Sequence, residues 1–487
     1  MRKRIDPEGL RLPIKLDSTS NGEFMPVPLE PVHELARTDA LAQASVNARR
    51  LGQDRRSFMV ALTGAATTLL AMNRAYASAG KLGGCFALPA VAALETDAAA
   101  SVLAGKEFIF DVQGHFVNPT GAWTGTLAKG VKPLSFAQTE GCAAAALPGR
   151  LDHLQCLGPD AFIRDVFVDS DTDLMVLSFV PSTRAGEPLT IEEAAATAGI
   201  VERMQGTHRL LLHGRVNPNQ AGDLEAMKQI ADKYPIAAWK TYTQWGPDGK
   251  GYFLDDEVGL RLVESARELG IRNIAVHKGL PFGKESYEHS TCVDVGRVAR
   301  RYPDTNFLIY HSGFVTTRDE GAYDPTSSDG VDQLITSLRK AGLGKHSNVY
   351  AELGSTWRYL MRDPDAAAHT LGKLLVHLGE DNILWGTDSI WYGSPQDQIQ
   401  AFRAFQISPE YRERFGYPEI TAEIRAKIFG LNALKVYEVD CSVLRPLLAA
   451  DRVSRERQEY RNRPDPAFVT YGPTTRREFL RLKALGG

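Results

Sequence analysis

The chain has 487 residues, 43% of them hydrophobic and 24% charged, the balance of a folded globular protein. That excludes a disordered chain, a collagen-like fibre and a polytopic membrane protein. The formal net charge of −3 supplies no basic field to hold nucleic acid. Five scattered cysteines (Cys85, Cys142, Cys156, Cys292 and Cys441) with no CxxC pair exclude a disulfide scaffold and a zinc ribbon.

Residues 1–54 are polar and dotted with proline, as in Met25-Pro26-Val27-Pro28. Proline disfavours helix in the residue before it, so this stretch is expected to be a disordered leader. Residues 55–77 then run Arg55-Arg56-Ser57-Phe58, an uncharged stretch from Ser57 to Asn73, and Ala75-Tyr76-Ala77. The stretch is short for a membrane span of about 20 residues, and the order of its parts resembles a bacterial twin-arginine signal. The expectation is export by the twin-arginine machinery to the periplasm, with a cytoplasmic chain that keeps an amphipathic helix as the alternative. Residues 78–105, rich in Ala and Gly, read as a linker.

From residue 106 to 440, apolar β-branched or aromatic runs alternate with amphipathic stretches. The predicted strands are Glu107–Gln113, Leu174–Val180, Arg209–Val216, Ile236–Thr241, Asn273–His277, Phe307–His311, Asn348–Leu353 and Ile383–Thr387. The predicted helices are Ile191–Met204, Asp223–Lys233, Asp255–Leu269, Cys292–Arg301, Gly330–Ala341, Pro364–Leu378 and Gln396–Phe405. Eight such repeats predict an α/β fold, a closed (β/α)8 TIM barrel. An open doubly wound sheet is disfavoured because no glycine-rich phosphate loop follows the first strand. Residues 118–170 form a long insertion after that strand, and residues 441–487 a C-terminal extension expected as a solvated tail or an arm on a neighbouring subunit of a homo-oligomer.

The strands end in residues that do not belong in hydrophobic runs. These are Gln113-Gly114-His115, Gly214-Arg215, Lys240, His277, His311-Ser312-Gly313, Glu352 and Gly386-Thr387-Asp388. In a barrel these ends converge on one face, and each buried charge or imidazole there needs a partner. Imidazole with carboxylate suits a divalent ion such as zinc, which activates water or polarises a carbonyl.

This ordered set resembles the amidohydrolase superfamily, in the amidohydrolase-related branch of metal-dependent hydrolases and nonoxidative aromatic-acid decarboxylases. Ile428-Phe429-Gly430-Leu431-Asn432-Ala433 resembles that branch's C-terminal helix signature. The resemblance implies one divalent ion, expected to be zinc, with His115, His277 and Asp388 as ligands. Asp388 would also accept a proton from water, and His311 would be the acid/base or carbonyl-polarising group. The family usually has His-x-His, or Glu-x-His in some decarboxylases, where this chain has Gln113-Gly114-His115. A neutral Gln113 would be a weak fourth ligand. Lys240, Arg215, Arg184 and Glu352 are the candidates for holding a carboxylate-bearing substrate or positioning the site.

The expected activity is hydrolysis of a small organic substrate through metal-activated water. The alternatives are nonoxidative decarboxylation on the same barrel, or a non-catalytic exported binding protein that has lost a ligand.

Overall fold

The computed structural model describes residues 6–125, 156–281 and 286–485. The centre of the insertion expected over 118–170 lies outside the described residues. A short strand β1 (Gly84–Phe86) precedes the eight strands β2 (Phe110–Gly114), β3 (Leu174–Leu177), β4 (Leu210–Arg215), β5 (Ile236–Tyr242), β6 (Asn273–His277), β7 (Asn306–Tyr310), β8 (Val349–Glu352) and β9 (Ile383–Leu384). Strands β2 to β9 pair in chain order and in parallel. A parallel bridge between Gly114 and Ser389 and the bond from Val112 N to Trp385 O close the sheet on itself. The expected (β/α)8 barrel is therefore the observed fold, with strand ends within a few residues of those read from sequence.

The barrel interior is filled by residues such as Phe110, Val112, Val176, Ala275, Leu308, Tyr310 and Leu384. Its N-terminal end is stoppered by the Ile428–Tyr437 segment. Asn432 Nδ2 donates to the carbonyls of Glu380 (2.7 Å) and Ile383 (2.9 Å), and a side chain on Gly430 would meet Phe108 O at 2.2 Å. The Gly and Asn of the C-terminal signature thus have a packing reason, and the opposite, C-terminal end stays free for chemistry.

The flanking segments differ from expectation. Residues 6–54 are folded onto the barrel rather than disordered. Helix Pro31–Arg50 presents Ala36, Ala40, Ala44 and Ala48, all buried at i, i+4 spacing, toward helix Leu62–Ser78. Small side chains let the two backbones approach closely, and Asn47 Nδ2 donates across to Thr67 Oγ1 at 3.3 Å. Proline marks the first turn of the helix instead of excluding it.

Arg55 donates to Glu8 O, and Arg56 is buried beside Asp465. The linker carries β1, which pairs antiparallel with β10 (Phe405–Ile407), and a helix, Thr96–Leu103, that buries Ala99 and Leu103. The C-terminal extension packs back on its own barrel, burying Leu448, Val453, Val469 and Tyr471.

Arg209, just before β4, makes a fully buried two-pronged pair with Asp451 of that extension, at 2.6 and 2.9 Å. Removing one member of such a pair leaves a bare charge in the interior. Asp451→Ala is expected to cost about 3–5 kcal/mol of stability, read by urea denaturation. The double change Arg209→Met with Asp451→Leu should recover most of that loss.

Candidate active site at the C-terminal mouth

The site is assembled along the seam where β2 meets the segment after β9. Asp111 is fully buried. Its Oδ1 accepts from Gln113 N (3.0 Å) and Thr387 N (3.1 Å), and its Oδ2 accepts from the Thr387 hydroxyl. Asp388 N then donates to Gln113 O at 3.0 Å and His115 N to Ser389 O at 2.5 Å. This crossed ladder delivers His115 and Asp388 to the same spot, with Nε2 of the first 3.1 Å from Oδ1 of the second.

The remaining imidazoles arrive from β6 and β7. His277 stacks on Tyr242 at 4.7 Å between ring centroids and meets His311 at the same separation. His311, Ser312 and Asp388 all hold positive φ, at 64°, 56° and 55°, a region that costs a non-glycine residue about 1–3 kcal/mol and persists only when neighbours fix it. Here they do. Glu352 accepts from His311 N (3.0 Å), Ser312 donates to Glu352 O (2.7 Å) and Thr356 to His311 O (2.9 Å). A Cβ on Gly386 would fall 1.6 Å from Glu352 Oε1, which is why the Gly-Thr-Asp run begins with glycine.

His277, His311, Lys240, Glu352 and Gln113 are completely buried, and His115 and Asp388 nearly so. Burial alone would raise the Asp388 pKa. The hydrogen bonds of His115 and the Ser355 hydroxyl outweigh it and hold this carboxyl below its usual range. Burial drives His277 well down and His311 to about 3, so both are neutral imidazoles. Burial also pushes Glu352 up to about 8.

Gln113 tests whether the cluster suits a cation. Its Nε2 lies 3.4 Å from His115 Nε2, 3.4 Å from His311 Nε2 and 3.0 Å from Asp388 Oδ1. The amide nitrogen thus faces Asp388 Oδ1 and the ring nitrogens of two imidazoles, while Gln113 Oε1 is buried with no hydrogen-bond partner among the described residues. Turning the amide over would offer that oxygen to the same point. Ligands about 2.0–2.2 Å from one ion sit roughly 3.0–3.5 Å apart, the spacing found here. The donors fit a divalent ion.

Two residues absent from the sequence reading complete the cluster. Glu23, from the N-terminal segment, places Oε1 3.4 Å from His277 Nδ1 and Oε2 3.5 Å from His311 Nε2. These three side chains form a group with metal-ligand spacing. Asn21 Nδ2 donates to Asp388 Oδ2 at 2.7 Å. Neither lies in a periodic element or a strand-end motif, so no sequence signal pointed to them.

The expected substrate arginines behave differently. Arg215 is engaged by Glu187 and Ser182 O, and Arg184 by Asp223 and Gly222 O. They form an ion-pair group of their own around Asp223, without a contact to the histidine cluster among the described residues. Glu352 is a backbone clamp for His311. His213 is satisfied by Ser178 and Tyr437, as an interior residue should be.

Lys240 reaches the cluster. Its Nζ sits 3.6 Å from the Tyr310 ring centre and 4.7 Å from that of Tyr242, with no hydrogen-bond partner among the described residues. Burial lowers its pKa to about 7, against the opposing charges of Glu23, Glu352 and Asp388. That value is below that of the unfolded chain, so the penalty is full under pH 7 and fades as pH rises toward 10.5. Lys240→Met should therefore stabilise the chelator-treated protein by roughly 1–3 kcal/mol at pH 6. The gain should shrink by pH 9.5, as followed by denaturation at both pH values.

The family model described as amidohydrolase matches residues 111–439. No curated protein matches the chain. Among solved structures, 5-carboxyvanillate decarboxylase from Sphingomonas paucimobilis is 12% identical, covering 69% of this chain and 100% of that one with a TM-score of 0.42. A 2,6-dihydroxybenzoate decarboxylase from Rhizobium is 13% identical (69% and 99%, TM-score 0.39). A probable 2-pyrone-4,6-dicarboxylic acid hydrolase from Acinetobacter baumannii is 12% identical (68% and 99%, TM-score 0.40). With more than half of the chain matched by the family model, the protein belongs to the amidohydrolase family.

Proposed function

We propose that this protein is a metal-dependent hydrolase of a small, carboxylate-bearing and aromatic substrate. The observation that carries the reading is one buried cluster in which Glu23, His277 and His311 have metal-ligand spacing and His115 lies 3.1 Å from Asp388, the two parts joined where Gln113 meets His311 and Asp388. His115, His277 and Asp388 would hold the ion, with zinc the candidate that their imidazole content favours. When bound, such an ion lowers the pKa of water and polarises a carbonyl.

The protein's own groups do the rest. Asp388 is kept ionised and oriented, one oxygen toward His115 and Gln113 and the other toward Ser355 and Asn21, ready to accept a proton from attacking water. His311, neutral and fixed through its backbone by Glu352, can offer an N–H to the oxygen that gains charge. Lys240 lies among tyrosine rings, a surrounding that suits an aromatic acid, and its ammonium would pair with the acid's carboxylate.

Nonoxidative decarboxylation is the second reading. What favours it is the near-complete exclusion of solvent from the cluster, since loss of CO2 consumes no water. Purified protein loaded with zinc or manganese and offered aromatic acids, esters and lactones separates the two. Incorporation of ¹⁸O from labelled water marks hydrolysis, and CO2 release without it marks decarboxylation. His115→Ala and Asp388→Asn should each lower turnover more than roughly a hundredfold. Full ligand binding by His115→Ala with no turnover in any form would instead favour a binding protein.

We also propose export by the twin-arginine route with the leader left attached, because Arg56 and much of helix Leu62–Ser78 are buried in the fold. Cys156 is disulfide-bonded, which suits an oxidising compartment. Intact mass of the protein from a periplasmic fraction should equal that of the full chain. A mass lacking residues 1–77 would contradict this.

A further inference from the structure

We propose that Glu23 is a ligand of the metal, delivered from outside the barrel by the N-terminal segment to make up for the neutral Gln113. The inference rests on the metal-dependent reading above and names a donor that the barrel strands do not supply.

Charge is the first argument. With Gln113 in the first-strand position, Asp388 is the sole anion among the strand-end donors Gln113, His115, His277 and Asp388. Glu23 adds a second, and it is buried to 6% exposure against His277 and His311. Its Oε1 lies 3.4 Å from Nδ1 of the ligand candidate His277, again the separation of two ligands on one ion, and its Oε2 lies 3.5 Å from Nε2 of His311.

Construction is the second. Glu23 N donates to Asn21 Oδ1 at 2.9 Å, and Asn21 Nδ2 donates both to Glu23 Oε2 (2.5 Å) and to Asp388 Oδ2 (2.7 Å). One amide thus holds two carboxylates toward a common centre, an arrangement whose like-charge repulsion a cation between them would relieve. The turn is reached through Gly22 at φ 89°, a conformation that only glycine adopts freely.

Anchorage is the third. A segment that merely plugged the mouth would be held loosely, but this one is fixed on both sides of Glu23. Lys15 Nζ donates to Tyr392 O (2.8 Å) and Ser394 O (2.6 Å) and pairs with Asp397 at 3.1 Å. Asp17 takes Arg358 on its side chain (2.8 Å) and Arg362 on its carbonyl (2.6 Å). Ser20 N bonds Pro473 O at 2.9 Å and Phe24 is buried. The segment is a constituent of the site.

The test is calorimetric titration of zinc or manganese into full-length, chelator-stripped protein, comparing wild type with Glu23→Gln. The amide is isosteric, so the metal-free melting temperature should hold or rise while metal affinity falls at least roughly tenfold. Equal affinity in the two proteins overturns the assignment and leaves the proposed function standing. Absence of metal binding by the wild type overturns both. Faster turnover by Glu23→Gln at unchanged metal affinity would mark the segment as an inhibitory plug and also overturn it. Should Glu23→Gln fail to fold, Glu23→Asp carries the test, since it keeps the charge but withdraws it by one methylene. Weaker binding then supports ligation, and unchanged binding overturns it.

Discussion

Closure of the barrel is the constraint on which the site depends. Strand β2 and the stretch after β9 lie 276 residues apart, Asp111 to Thr387, and only their pairing puts His115 beside Asp388. Asp111 secures that pairing by accepting from Gln113 and Thr387 at once. Burial pushes its carboxyl up to about 7 despite those bonds. The seam is therefore held by a buried polar group whose energetics are closely matched to its hydrogen bonds, and a change there would misplace ligands without touching them.

The second theme is unbalanced charge. Glu23, Glu352 and Asp388 act on one lysine, Lys240, which has no hydrogen-bond partner among the described residues. Neutral imidazoles and a neutral Gln113 fill the remaining space. Taking ions out of water is costly unless each is paired in good geometry. A divalent ion at the common point would relieve the carboxylates together and allow Gln113 to turn its carbonyl inward. Metal binding and the stability of this mouth would then be linked.

Much of this was legible in the sequence. The alternation of β-branched runs with capped amphipathic stretches gave the barrel, and Asn273–His277 and Asp223–Lys233 were bounded to the residue. Strand-end polarity identified Gln113, His115, His277, His311, Asp388 and Lys240, because a hydrophobic run that stops on an imidazole or carboxylate has little packing reason to do so. Arg215 carried the same signal, but it and Arg184 serve a local ion-pair group. Strand-end position does not distinguish a side chain aimed at the axis from one turned toward the next loop.

The N-terminal segment was misread for a physical reason. Its short, proline-broken stretches bury residues such as Leu12, Ile14, Leu16 and Phe24 against tertiary neighbours, with no local period to betray them. Its function as part of the mouth is a long-range property. The claim underlying the whole account is that the convergent side chains hold one divalent ion. Anomalous diffraction at the zinc or manganese edge from metal-loaded crystals tests it most directly. One strong peak bonded to His115, His277 and Asp388 is the predicted result. A peak elsewhere, or none at that point, would contradict it.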